Sequence, residues 1–214
     1  MITWVAVIVT VASFKGGVGK STTAVHLAAF FSDRAKTVLV DGDPNGTASR
    51  WARKGKLPFE VVGKNQGPMA ARRCEHLIID TQARPDQADL KDLTDGCDLL
   101  ILPSTPDEAA LDALMQTIVM LRTLGSNRYR ILLTIVPPKP IPEGDMARRA
   151  LSEAGFPLFR AEIRRTIAFP RALSEGITVG QMKGSELAGM GWRDYEAVGE
   201  EIEELNGQTS ATGA

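Results

Sequence analysis

Ser13-Phe-Lys-Gly-Gly-Val-Gly-Lys-Ser-Thr22 is the stretch that decides the fold. The run before it, Val5–Ala12, is apolar and β-branched, which suits a strand buried in a parallel sheet. The run after it, Lys20–Ser32, reads as a helix. A strand, a glycine-rich turn and a helix in that order form a cradle for phosphate. Gly16, Gly17 and Gly19 let the backbone take positive φ and approach an anion closely. The N–H groups of the loop, Val18 included, then surround a phosphate, and the helix N-terminus adds its dipole. Lys20 is placed to reach the β- and γ-phosphate oxygens. The Ser21 hydroxyl is placed to ligate Mg²⁺, and Thr22 completes the run.

Outward from this loop, apolar β-rich runs alternate with helical patterns. Strands are expected at Thr37–Val40, Phe59–Val62, His76–Ile79, Asp98–Leu102 and Arg130–Val136. Helices are expected at Thr47–Arg53, Gln87–Leu93 and Glu108–Leu124. The βαβαβ order implies an α/β fold, a doubly wound, mostly parallel sheet with helices on both faces. Pro137, Pro138, Pro140 and Pro142 then make a stiff, non-helical loop. A helix at Asp145–Ala154, an extended segment at Phe159–Ile163, and helices at Phe169–Glu175 and Ser185–Leu205 follow. Residues 1–205 are expected to form one domain, and the small, polar residues 206–214 a flexible tail.

Two acidic segments follow strands. Leu39-Val-Asp-Gly-Asp-Pro-Asn-Gly46 places Asp41 and Asp43 at the end of the second strand, and His76-Leu-Ile-Ile-Asp80 ends another in Asp80. Carboxylates at strand C-terminal ends lie on the ligand-binding edge of a parallel sheet. Asp80 is expected to hold Mg²⁺ through water, because Mg²⁺ keeps several of its waters.

Lys15 opens the loop as Lys-Gly-Gly-x-Gly-Lys-Ser, which resembles the deviant Walker A box of the ParA/MinD superfamily of P-loop ATPases. The resemblance implies that Lys15 crosses a dimer interface to phosphates held by the other subunit. It implies that Asp43 orients or activates the attacking water and that Asp41 supports the Mg²⁺ shell. Lys15, Lys20 and Asp43 are then the catalytic set. Asn45 stands where the family usually has Gln, and Thr81–Pro85 stands at its second switch. Pro137 and Pro138 fall where the family's adenine lies. Ala48–Phe59, Asp98–Pro106 and Gly176–Val179 are similar to small, ParF-like partition ATPases without an N-terminal DNA-binding domain. Such proteins imply ATP and Mg²⁺ as cofactors and slow, partner-stimulated hydrolysis to ADP and phosphate. They also imply an ATP-bound homodimer that grips DNA without sequence preference, and a ParB-like or cargo-adaptor partner. The cargo is plasmid DNA or another assembly.

The chain has 214 residues with 25 basic and 26 acidic side chains, a formal net charge of −1. That balance excludes a globally basic nucleic-acid binder, so DNA contact requires a local patch. Lys139–Arg171 holds seven basic residues against four acidic ones. Arg164, Arg165 and Arg171 are expected at the patch centre, with Arg148, Arg149 and Lys183 outside; the alternative is arginines paired with neighbouring Glu. The last helix carries Asp194, Glu196, Glu200, Glu201, Glu203 and Glu204, a face that anionic lipid repels, so no membrane partner is expected. A cytoplasmic, nucleoid-associated protein is expected. The other reading is a metabolic enzyme with the same loop, a dethiobiotin-synthetase-like ligase or a metal-cluster carrier. Cys74 and Cys97 do not fit a cluster site, and no substrate motif stands out.

Overall fold

The computed structural model describes residues 7–83 and 87–212. Six strands form its frame: β1 (Val7–Ser13), β2 (Thr37–Asp41), β3 (Glu60–Gly63), β4 (His76–Ala83), β5 (Leu99–Ser104) and β6 (Tyr129–Leu133). All pair in parallel, in the order β3-β2-β4-β1-β5-β6. Eight α-helices connect and follow them: α1 (Lys20–Ser32), α2 (Thr47–Ala52), α3 (Gly67–Ala71), α4 (Gln87–Asp95), α5 (Glu108–Thr123), α6 (Glu143–Glu153), α7 (Ala168–Glu175) and α8 (Glu186–Thr212).

Side chains alternate across the sheet, and the alternation divides the core. Val9 and Val11 of β1, Ile101 of β5 and Leu132 of β6 face a cluster built on α1, α2, α7 and α8. Ala12, Leu100, Leu102, Ile131 and Leu133 face the other side, against α4, α5 and α6. Ala70 of α3 covers Val38, Val40 and Val62 at the far edge. Helix α1 is apolar almost all round because it lies between the sheet and α8.

The expected strands and helices lie close to their observed positions, with informative differences. The strand expected from Arg130 to Val136 stops at Leu133. Ile135 adopts a left-handed backbone, φ 53°, which a β-branched residue rarely takes and a strand cannot contain. Phe159–Ile163 is not a regular strand, but Phe159 N–H donates to the Ile131 carbonyl and Ile163 N–H to that of Leu133. Helix α8 continues to Thr212, past the expected end at Leu205, and α3 is an additional short helix. The expected strand start at Val5, the switch residues Arg84 and Pro85, and the tail residues 213–214 lie outside the described residues.

Candidate nucleotide-binding site

The loop after β1 is held open toward its anion side. Gly17 and Gly19 have φ of 81° and 80°. Gly19 is the N-cap of α1 and offers no side-chain cap, so the first amides of the helix stay available to a ligand. The loop is tied from behind: Thr134 Oγ1 donates to the Val18 carbonyl at 2.8 Å, and Ser13 Oγ to that of Lys15 at 2.9 Å. The Val18 side chain is buried, so only its backbone faces a ligand.

Lys20 is buried and bridges two carboxylates. Its Nζ lies 2.8 Å from Asp80 Oδ1 and 3.1 Å from Asp43 Oδ2. The motifs expected to converge therefore do so: phosphate loop, Asp43 and Asp80 meet around one ammonium. Burial would raise the Asp43 carboxyl pKa, but the Asn45 N–H and Lys20 outweigh it and hold it below its ordinary value. Burial dominates at Asp80 and raises its pKa despite Lys20. Asp80 Oδ2 is buried without a hydrogen-bond partner among the described residues. That orphan oxygen, beside the Ser21 hydroxyl that bonds Asp80, fits a Mg²⁺ shell completed by water and phosphate. Among the described residues no three His, Cys, Asp or Glu gather, so an all-protein metal cage is not formed.

Asp41 differs from the expectation. Its Oδ2 accepts from the Ser49 N–H at 2.7 Å and the Ser49 hydroxyl at 2.6 Å, and its Oδ1 from the Asp43 N–H at 3.2 Å. Both oxygens are committed within the chain. Through these bonds Asp41 anchors α2 and the Asp43 loop.

The cleft has a volume of about 570 Å³. The phosphate loop, Asp43 and Asn45 line one side; Ile135, Ile163–Thr166, Phe169, Pro170 and Tyr195 line the other. Pro137 and Pro138 are not part of that wall. Beyond Ile135 the chain pairs back, Val136 N–H to the Ile163 carbonyl and Arg165 N–H to that of Val136, which brings the 163–166 segment to the cleft instead. No motif marks this wall in the sequence, because it depends on a segment about thirty residues from Ile135.

Lys15 sits on the rim. Its Nζ lies 2.6 Å from Asp107 Oδ1, and Asp107 is the N-cap of α5 through the Ala110 N–H. Lys15 lowers the Asp107 carboxyl pKa, helped by Thr105. In the single chain this lysine rests on its own subunit, partly exposed, rather than on its own phosphate site.

The expected DNA arginines divide. Arg164 grips Asp194 through two bonds of 2.7 Å, Arg148 meets Glu162 at 2.9 Å, and Arg149 meets Glu153 at 3.1 Å. Arg160 reaches Glu204 at 2.5 Å. These charges are compensated by carboxylates, the alternative set out above, and Arg164 additionally lines the cleft. Arg165, Arg171 and Lys183 are exposed and have no carboxylate partner among the described residues. Cys74 and Cys97 are free thiols just before β4 and β5, at the sheet edge opposite the phosphate loop. Burial pushes the Cys97 thiol up to about 11.

The CobQ/CobB/MinD/ParA nucleotide binding domain matches residues 9–179. The chain belongs to this ParA/MinD family. Within the family it is 36% identical over 203 residues to maintenance of carboxysome distribution protein A of Gloeobacter kilaueensis, covering 92% of this chain and 94% of that one. Its fold matches the ATP complex of Cyanothece McdA with a TM-score of 0.72 at 16% identity, over 94% of this chain and 96% of that one. A plasmid partition protein of Borrelia burgdorferi bound to AMPPNP matches at 0.70 and 17%, over 91% and 98%. The phosphate loop, Asp43 and Asp80, which meet at Lys20, all lie within the matched residues. No helix among the described residues is long and apolar enough to cross a membrane.

Proposed function

We propose that this ParA/MinD chain is a positioning ATPase: ATP with Mg²⁺ closes a homodimer that binds DNA without sequence preference, and partner-stimulated hydrolysis releases it. The reading is carried by the near full-length match to a carboxysome distribution protein, which favours a protein assembly over plasmid DNA as cargo. The site supports it. Lys20 and the loop amides take the β- and γ-phosphates, Ser21 and Asp80 hold the metal, and Asp43 orients the attacking water. Mg²⁺ there supplies charge neutralisation at the phosphates. Lys15 leaves Asp107 and meets the partner subunit's phosphates. Arg165, Arg171 and Lys183 contribute to DNA contact. A ParB-like or adaptor protein links the dimer to its cargo, and the protein acts on the nucleoid in the cytoplasm.

The test is sedimentation of the full chain with and without ATP, together with retention on random-sequence duplex DNA. ATP-dependent dimers that bind DNA and elute with rising salt support the reading. A chain that turns over ATP as a monomer and ignores DNA overturns it.

A further inference from the structure

The charge of this protein is segregated in a place the Lys139–Arg171 window does not cover. Between Pro44 and Arg73 there are seven basic residues and a single acidic one, Glu60. Glu60 is spent on Arg73, which grips it through two bonds of 2.7 Å. The remaining six, Arg50, Arg53, Lys54, Lys56, Lys64 and Arg72, are all exposed. Among the described residues none has a carboxylate partner; Arg50 and Lys54 bond only neutral oxygens there. By contrast, five of the seven cations between Lys139 and Arg171 are paired with carboxylates.

The fold gathers these six on one rim. β3 is an edge strand of the sheet. Helix α2 packs through Trp51 on one face, and α3 packs through Ala70 on the other. The strand is therefore bordered on both faces by helices whose ends and loops carry uncompensated positive charge. The rim is continuous with Arg171, because Lys54 Nζ donates to the Leu173 and Ser174 carbonyls at the end of α7. It is also tied to the nucleotide site. Asp41 holds the first turn of α2 through Ser49 and the Asp43 loop through its backbone N–H, while Lys20 holds Asp43 itself. A phosphate that draws Lys20 away acts on the loop from which the basic helix springs.

We infer that this outer edge, α2–β3–α3, is the main surface that grips the phosphate backbone of double-stranded DNA. The inference rests on the DNA-binding reading above and locates its surface. Exposed Lys and Arg without carboxylates are what counterion release requires, and a rim without a groove-entering helix reads charge rather than sequence.

The experiment compares the wild-type chain with two variants in ATP or AMPPNP, using a labelled random-sequence duplex across a salt series. The edge variant combines Arg53→Gln, Lys56→Gln, Lys64→Gln and Arg72→Gln. The second combines Arg165→Gln and Arg171→Gln. ATP affinity is measured for each as the check on folding, since none of the edge residues lines the cleft. The expected result is a loss of about tenfold or more in DNA affinity for the edge variant at unchanged ATP affinity. Its salt slope should fall by about one for each phosphate contact removed, and the loss should exceed that of the second variant. An edge variant that binds like wild type while the second variant fails overturns the inference and leaves DNA binding standing. A wild-type chain that binds no DNA at any salt overturns both. If the edge variant loses binding to phosphatidylglycerol vesicles but not to the duplex, the surface belongs to lipid and the inference is overturned.

Discussion

At Lys20, one ammonium is shared between Asp43 and the fully buried Asp80. Lys20→Ala leaves two carboxylates facing each other and removes the charge-assisted bonds to phosphate. ATP affinity should fall by about 100-fold or more, read by nucleotide titration. Asp43→Ala has the opposite sign in the ground state. It frees Lys20 from one competitor, so ATP should bind as well as or slightly better than to wild type, while turnover should drop by about 10²- to 10⁴-fold. Tighter nucleotide binding with lost phosphate release is a pairing that a merely structural aspartate would not produce. Lys15 gives a third expectation. Its pair with Asp107 is partly exposed, so it is worth about 1 kcal/mol at most. Asp107→Asn should raise the dimer fraction at limiting ATP, but by less than about fivefold, in a sedimentation experiment.

Helices α1 and α8 show how far packing can be read from elements. A Cβ on Gly199 of α8 would lie 2.3 Å from ring atoms of Phe30 on α1. Both rings at positions 30 and 31 are buried and meet edge to face. Gly199→Ala should therefore cost about 1–3 kcal/mol, measured by urea unfolding, although alanine is the better helix former. Element existence was legible where loop and turn residues bound each run, even for α1, which is apolar almost all round. Lys20–Ser32 is read from its sequence at the bounds the structure shows. Helix α3 was not legible, since Gly67-Pro68 reads as a turn and only Ala70 against Val38 and Val40 holds it. Asn206-Gly207 reads as a stop, yet α8 continues. The phosphate loop, Asp43 and Asp80 were legible because their motif spacing fixes the edge on which they lie. The arginine pairings were not: Arg164 finds Asp194, and Arg160 finds Glu201 and Glu204, at sequence distances where no local pattern carries a signal.

For the whole molecule, two buried histidines make stability depend on pH. His26 bonds the Thr22 carbonyl at 2.7 Å and accepts from the Val179 N–H at 3.1 Å, so it is held neutral. Burial lowers its pKa from 6.5 to about 4. His76 is also lowered by burial, and both its ring nitrogens lack partners among the described residues. The unfolded chain binds these protons more readily than the folded one. Stability is therefore full above about pH 6.5 and declines as pH falls toward 4, by about 3 kcal/mol for His26 alone. Urea midpoints that stay flat between pH 7 and pH 5 would contradict this. The near-zero net charge, taken alone, pointed away from nucleic acid, whereas the fold collects cations at one rim and carboxylates along α8.

The strand order has a consequence for how the chain is made. β1 leaves the ribosome first, but its sheet neighbours are β4 and β5, whose residues end at Ala83 and Ser104. Neither of these native partners lies nearer in sequence. The strand that carries the phosphate loop waits with its hydrogen-bonding edges open until β4 and β5 have emerged, and it closes only by long-range contacts, the slow kind. Nucleotide cannot assist that wait, because Lys20 has no Asp80 to meet until β4 arrives. During this interval Val7–Ser13, a largely apolar strand, is exposed to mispairing, and assembly of the center of the sheet is the step a chaperone would have to guard.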